Sequence, residues 1–195
     1  MTYEEWLRWA DGPGRSEWVE GEVIVFMPPT LRHMRLIRFL TNFVGLFVER
    51  HGLGEWIVSP FEMKLPSSRS REPDLLFVAS ANLGRLRQER LDGPADLAIE
   101  LVSEDSVRRD RVTKRDEYAA AGIAEYWILD PRPGREAEEF LVLGDDGRYH
   151  PVPPDADGWY RSRVIEGFRL RPEWLRADPL PDPLACLGEI AADTI

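Results

Sequence analysis

Cysteine is nearly absent from this chain: Cys186 is the only one in 195 residues. A single thiol cannot close an internal disulfide or build a multi-cysteine zinc site, which fits a reducing compartment. Histidine is scarce too, and His33, His51 and His150 are too scattered for a zinc triad. There is no G-x-S-x-G elbow, Walker loop or dinucleotide glycine fingerprint. No apolar run approaches the roughly 20 residues that cross a bilayer. The opening MTYEEWLRW is acidic where a secretory leader would be basic. Together these absences predict a soluble, cytoplasmic protein with no membrane partner.

Positive charge is also in deficit, with 25 Lys and Arg against 35 Asp and Glu, a net charge of −10. The deficit is uneven. Residues 132–158 and residues 173–195 each carry −4, leaving −2 for the remainder. That remainder holds two basic clusters, Arg85, Arg87 and Arg90, then Arg108, Arg109, Arg111, Lys114 and Arg115. Such clusters serve either as solvated surface or as phosphate contacts. Charge alone argues neither for nor against a nucleic-acid partner.

With 43% hydrophobic residues, the chain can bury a real core. Thr2 and Glu5 form a capping box before a helix from Tyr3 to about Trp9, broken by Asp11-Gly-Pro-Gly. Glu17 to Phe26 reads as a strand pair turning at Gly21. Thr30 caps a long helix, Leu31 to Arg50, whose apolar positions keep the helical period until Gly52. Trp56 to Leu65 reads as one strand, and residues 79–95 as a partly helical insertion. Asp96 to Ser103 is apolar on both faces, as expected of a covered central strand. Asp105 or Ser106 caps the next helix, which ends at Gly122 before the strand Glu125–Asp130. Strand, helix and strand at this spacing form a crossover unit. Short strands beyond Pro131 predict an antiparallel extension. The expected division is a domain over 1–172 and a loosely packed acidic tail over 173–195.

Two apolar runs carry a carboxylate each. Asp74 opens Leu75–Val78, and Glu100 lies inside Leu97–Val102. Burying an ionised carboxylate costs several kcal/mol unless it is compensated. If the two strands pair antiparallel, Asp74 and Glu100 meet at one sheet edge. Their repulsion is then relieved by a divalent cation. Mg²⁺ suits the place, because it takes hard oxygen ligands, often one or two carboxylates plus water and phosphate. On the following helix, Val107, Arg111, Lys114, Tyr118 and Ala121 share one side. Lys114 there either orients a water and stabilises charge, or merely snorkels from a buried rim.

These features, PD at Pro73-Asp74, Glu100 on its strand, Lys114 on the helix and the ending AGIAEYWILDP, resemble the Uma2 restriction endonucleases of the PD-(D/E)XK nuclease superfamily. The resemblance runs from about Tyr3 to Arg169. It implies an α/β fold, a restriction-endonuclease-like mixed central sheet flanked by helices. It also implies Mg²⁺-dependent cleavage of DNA (Mn²⁺ substituting), with Asp74 and Glu100 as metal ligands and Lys114 as the catalytic lysine. The SEWVEGEV segment brings in Glu17 as a fourth acid; a rim glutamate fits the same position. A homodimer would supply two sites for two strands. The superfamily lysine is expected two residues after the glutamate, where this chain has Val102. That departure keeps a second reading open, a catalytically silent nuclease-fold binding protein. Glu62-Met63-Lys64 matches the E-x-K spelling but precedes Asp74 on another strand, so it is expected to be coincidental. His33 reads as a surface histidine or a contact to substrate phosphate or water, and Tyr118 as a core aromatic or a hydrogen-bond partner of Lys114 one turn before it.

Overall fold

The computed structural model describes residues 2–9, 16–19, 21–25, 28–66, 69–135 and 137–192, except for the side chains of Glu17, Val25 and Ala192. The expected break at Asp11–Gly14 and the strand end at Phe26 lie outside that set. Helix α1 (Tyr3–Trp9) starts as the capping box requires: Glu5 N–H donates to Thr2 Oγ1 at 3.1 Å, and Thr2 N–H to Glu5 Oε2 at 2.7 Å. Strands β1 (Ser16–Val19) and β2 (Glu22–Val25) form an antiparallel hairpin.

The long second helix is continuous from Leu31 to His51, but not uniform. It comprises α2 (Leu31–Leu40), a π-helical stretch Thr41–Gly45, and α3 (Leu46–His51). The expected strand Trp56–Leu65 is instead two, β3 (Gly54–Val58) and β4 (Glu62–Leu65), in different sheets. Pro60 lies between them and has no N–H to give a ladder, so the chain breaks and changes sheet there.

The central sheet has the order β11-β10-β9-β8-β6-β3, with β6 at Leu75–Ala79, β8 at Leu97–Leu101, β9 at Glu125–Asp130, β10 at Ala137–Leu143 and β11 at Tyr149–Pro151. β6 and β8 are antiparallel, and Leu75 pairs with Ile99. β8 and β9 are parallel, joined through a π-helical turn Arg109–Thr113 and α4 (Lys114–Ala121). β10 and β11 provide the antiparallel extension. A second sheet takes the order β2-β1-β5-β4-β7, with β5 at Arg69–Arg71 and β7 at Arg90–Asp92. A short pair, β12 (Tyr160–Arg161) and β13 (Arg169–Leu170), stands apart.

Alternation along β8 sends Leu97, Ile99 and Leu101 to the face covered by the Leu31–His51 helix, where Leu40, Phe43 and Val44 are fully buried. Ala98 and Val102 turn to the opposite face, against Tyr118 of α4 and against Met63 and Leu91 of the second sheet. Both faces are covered, as a parallel β8–β9 pair requires.

The segment expected as a loose acidic tail is neither loose nor peripheral. It folds as α5 (Pro172–Arg176) and α6 (Pro183–Ala192), and Trp174, Leu175, Cys186 and Ile190 sink into the first core cluster. Its six acidic and basic side chains mask an apolar set spaced across two short helices. Among the described residues, no helix is long and apolar enough to cross a membrane.

Candidate active site

The register that pairs Leu75 with Ile99 brings Asp74, one residue before β6, beside the end of β8. The backbone confirms the placement: Leu101 N–H donates to Asp74 Oδ2 at 2.7 Å. Glu100 is the single polar residue of β8 and points to the α4 face. Asp74 and Glu100 are each 2% exposed.

α4 delivers two side chains to Glu100. Lys114 Nζ lies 2.9 Å from Glu100 Oε1, and Tyr118 donates its hydroxyl to the same oxygen at 2.7 Å. Lys114 is 1% exposed and so is not a snorkelling rim residue. Tyr118 is the core aromatic it was expected to be, packed edge-on against Tyr126. Its hydroxyl nevertheless belongs to the polar cluster, through its bond to Glu100.

His33 corrects the sequence reading. It is 8% exposed rather than on the surface, with Nε2 3.6 Å from Asp74 Oδ1. The cause is local: Thr30 accepts a hydrogen bond from His33 N–H at 3.2 Å, and this cap fixes the turn that carries the imidazole. The Asp74 carboxylate is thus approached from the helix on one face of the sheet, and Glu100 from the helix on the other.

Asp110 was missed. Arg111 had been expected to share the inward face with Lys114, but it turns outward to Asp130, at 3.1 Å, and to Glu139. Asp110 is inward instead, 2% exposed, with Oδ1 3.6 Å from Lys114 Nζ. The π-helical turn Arg109–Thr113 makes the difference, since each residue there turns through a smaller angle than in an α-helix. Burial pushes the Asp110 carboxyl above its ordinary value; the neighbouring Lys114 opposes this, while Asp74 adds to it. The signal available in sequence was the four-residue spacing Ser106, Asp110, Lys114, Tyr118.

Glu17 lies on β1, opposite Ile24, in the second sheet, and its side chain is outside the described set. Glu62, of the coincidental E-x-K, is also in the second sheet, where Tyr3 and Ser70 donate to it. Of the basic residues on the Lys114 helix, Arg111 and Arg115 are engaged internally, Arg115 with the Tyr149 carbonyl. Arg108 is exposed. Among the described residues, no three His, Cys, Asp or Glu side chains gather as a metal cluster.

Two buried ion networks outside the cluster serve the frame. Arg71 is held bidentately by Glu117, with both bonds at 2.8 Å. Glu125, fully buried at the start of β9, accepts from Trp127, Tyr160 and Ser162 side chains and from the Arg163 and Val164 backbone. It pins the 162–164 loop to the sheet.

The sequence profile of the family Uma2, described as "Putative restriction endonuclease", matches residues 3–173. A solved structure titled as a putative nuclease belonging to DUF820, from Anabaena variabilis, is similar with a TM-score of 0.69, covering 90% of this chain and 97% of its own. Identity between the two is 16%, so that likeness speaks for the fold. No curated protein matches the chain.

Proposed function

Because the chain belongs to the Uma2 restriction-endonuclease family, we propose that it is a Mg²⁺-dependent endonuclease hydrolysing DNA phosphodiester bonds. The observation that carries this reading is the convergence of Asp74, Glu100 and Lys114 in one buried cluster at the shared end of β6 and β8.

The donor set fits the ion. Mg²⁺ is held in nucleic-acid enzymes by one or two carboxylates, with water and phosphate completing the shell. Asp74 and Glu100 supply two carboxylates from adjoining strand ends, and the Lys114 ammonium at 2.9 Å already meets Glu100's demand for a positive neighbour. Bound there, the ion would neutralise phosphate charge and acidify its water.

The protein's own groups do the rest. Leu101 N–H holds Asp74 in orientation, and Tyr118 holds Glu100. Lys114 is positioned to orient the attacking water or to stabilise negative charge growing on the phosphate. Its place on α4 substitutes for the lysine expected where Val102 stands. A silent binding protein is the rival reading. It is favoured by one feature, that Lys114 already neutralises Glu100 without help.

Plasmid cleavage decides between them. The wild type should nick supercoiled DNA with Mg²⁺ or Mn²⁺ and lose the activity in EDTA. Lys114→Met, which keeps the stem and loses the charge, should abolish nicking while retaining the fold by circular dichroism. Unchanged nicking by Lys114→Met would remove the lysine from the chemistry, and no nicking by the wild type with either ion would favour the silent protein.

A further inference from the structure

We propose that the outward face of α2 is the cradle for a DNA strand with unpaired bases, its phosphates on Arg35 and Arg38 and its bases against Leu31 and Met34. The inference rests on the nuclease reading above and gives it a docking surface and a substrate class.

Charge singles this helix out. The chain carries −10 overall, yet residues 23–48 contain no Asp or Glu and hold Arg32, Arg35 and Arg38. Arg32 is engaged inside the protein, donating to the Leu175 and Ala177 carbonyls, both at 2.8 Å. Arg35 and Arg38 are exposed and form no ion pair among the described residues. They differ in this from Arg111 and Arg132, which are both tied to Asp130. Three residues apart, they rise about 4.5 Å along the helix axis, close enough for two long side chains to hold successive phosphates of one strand.

The geometry makes a stripe that leads to the metal cluster. At about 100° per residue, Leu31, Met34, Arg35 and Arg38 fall within about 100° of one another. Leu36 and Leu40, on the other side of the helix, are buried in the core. The stripe begins on the turn that sets His33 Nε2 3.6 Å from Asp74 Oδ1. A strand laid along Arg38 and Arg35 therefore arrives beside the carboxylate pair, and meets Leu31 and Met34 as it does so.

Those two side chains decide the kind of strand. Leu31 is 65% exposed and Met34 48%. Neither can bond a phosphate. Both fit the face of a base, and in an intact duplex that face is stacked against its neighbours. A strand with unpaired bases offers it freely, and apolar side chains next to basic ones are how unstacked bases are gripped. A phosphate contact weakens as salt rises, because each one gains from counterion release. Two arginines on an acidic protein thus hold a duplex poorly, while burial of Leu31 and Met34 against bases adds affinity that salt does not screen.

Anisotropy of an end-labelled single strand and of its duplex, in EDTA so that nothing is cut, tests the proposal on the full chain. The wild type should bind the single strand more tightly. Arg35→Ala with Arg38→Ala should reduce the slope of log K against log salt by about 1.4, two contacts at about 0.7 each. Leu31→Ser with Met34→Ser should weaken the single strand about tenfold, leaving the slope and the duplex affinity unchanged. All four residues lie on the surface, so the melting temperature should move by no more than about 2 °C. An unchanged slope in the arginine pair would reduce it to solvated surface and overturn the proposal. An equal loss on single strand and duplex in the Leu31 and Met34 pair would overturn it too. So would variants that release phosphatidylserine vesicles but keep the oligonucleotide, since the stripe would then face a membrane. If the wild type nicks plasmid but binds strand and duplex alike, this proposal fails and the nuclease reading stands. A wild type that neither binds DNA nor cuts it sinks the nuclease reading, and the cradle with it.

Discussion

Asp74→Asn removes one charge and no heavy atom, which makes it the cleanest probe of the carboxylate pair. The remaining amide oxygen can still accept from Leu101 N–H, now 2.7 Å from Asp74 Oδ2, so the strand end keeps its geometry. What disappears is half of the anionic pair offered to a cation. A ligand present at one hundred times its Kd stabilises the native state by about 2.7 kcal/mol. For a chain of this size each kcal/mol is worth about 2–4 °C. Saturating Mg²⁺ or Mn²⁺ should therefore raise the wild-type melting temperature by about 5–10 °C. In Asp74→Asn the gain should fall below about 2 °C, as affinity drops and the same concentration no longer saturates. Differential scanning fluorimetry on EDTA-stripped protein, titrated with each ion at constant ionic strength, reads both numbers. Equal upward shifts in the two proteins would place the ions elsewhere and refute the reasoning.

Removing residues 173–195 discards the buried side chains of Trp174, Leu175, Cys186 and Ile190. At about 1.5–3 kcal/mol each, the loss of roughly 6–12 kcal/mol rivals the whole stability of a domain. The truncated chain should show no cooperative melting by circular dichroism; a sharp transition would refute this. Glu125→Leu orphans several buried donors at once and should cost at least about 3 kcal/mol, or about 6–12 °C. A smaller drop in a calorimetric scan would mean that the 162–164 loop is held by packing. For DNA, Arg108→Ala should reduce the slope of log K against log salt by about 0.9, the value for one phosphate contact. Arg111→Ala should leave that slope unchanged and lower the melting temperature instead, because Arg111 is committed to Asp130 and Glu139. A labelled duplex followed by anisotropy separates the two.

Much of the fold was legible because its signals are local. The capping box at Thr2 and Glu5, the Thr30 cap and the doubly apolar β8 each declare themselves within a few residues. The antiparallel meeting of Asp74 and Glu100 followed from one assumption about strand pairing. The misreadings have a common cause in longer-range structure. Nothing near Pro60 says that β4 joins a different sheet from β3. His33 carries no local sign of burial in the sequence; the Thr30 cap sets its turn, and Asp74, which it meets, comes from a distant strand. The regular 100° wheel puts Arg111 inward, and the π-helical turn moves it out to Asp130 and Glu139, while Asp110 stays on the Lys114 side at its four-residue spacing. The tail misled through its charge: five acids against one arginine set its net charge, while twelve hydrophobic residues among the 23 decide its place.

The cluster's members come from separate stretches of chain: His33, then Asp74, then Glu100, and finally Asp110 to Tyr118. No fragment holds them together, because β8 is fixed between β6 and β9, and β9 is made last of the three. Synthesis proceeds from the N-terminus, so the pocket is still open when Tyr118 leaves the ribosome. The frame around the cluster is tied down by residues made after it: Glu125 accepts from the 162–164 loop, and Cys186 and Ile190 of α6 are buried in the core under the Leu31–His51 helix. The pocket's walls thus depend on segments far downstream of the side chains they hold, and a change in those segments reaches the cluster without touching it.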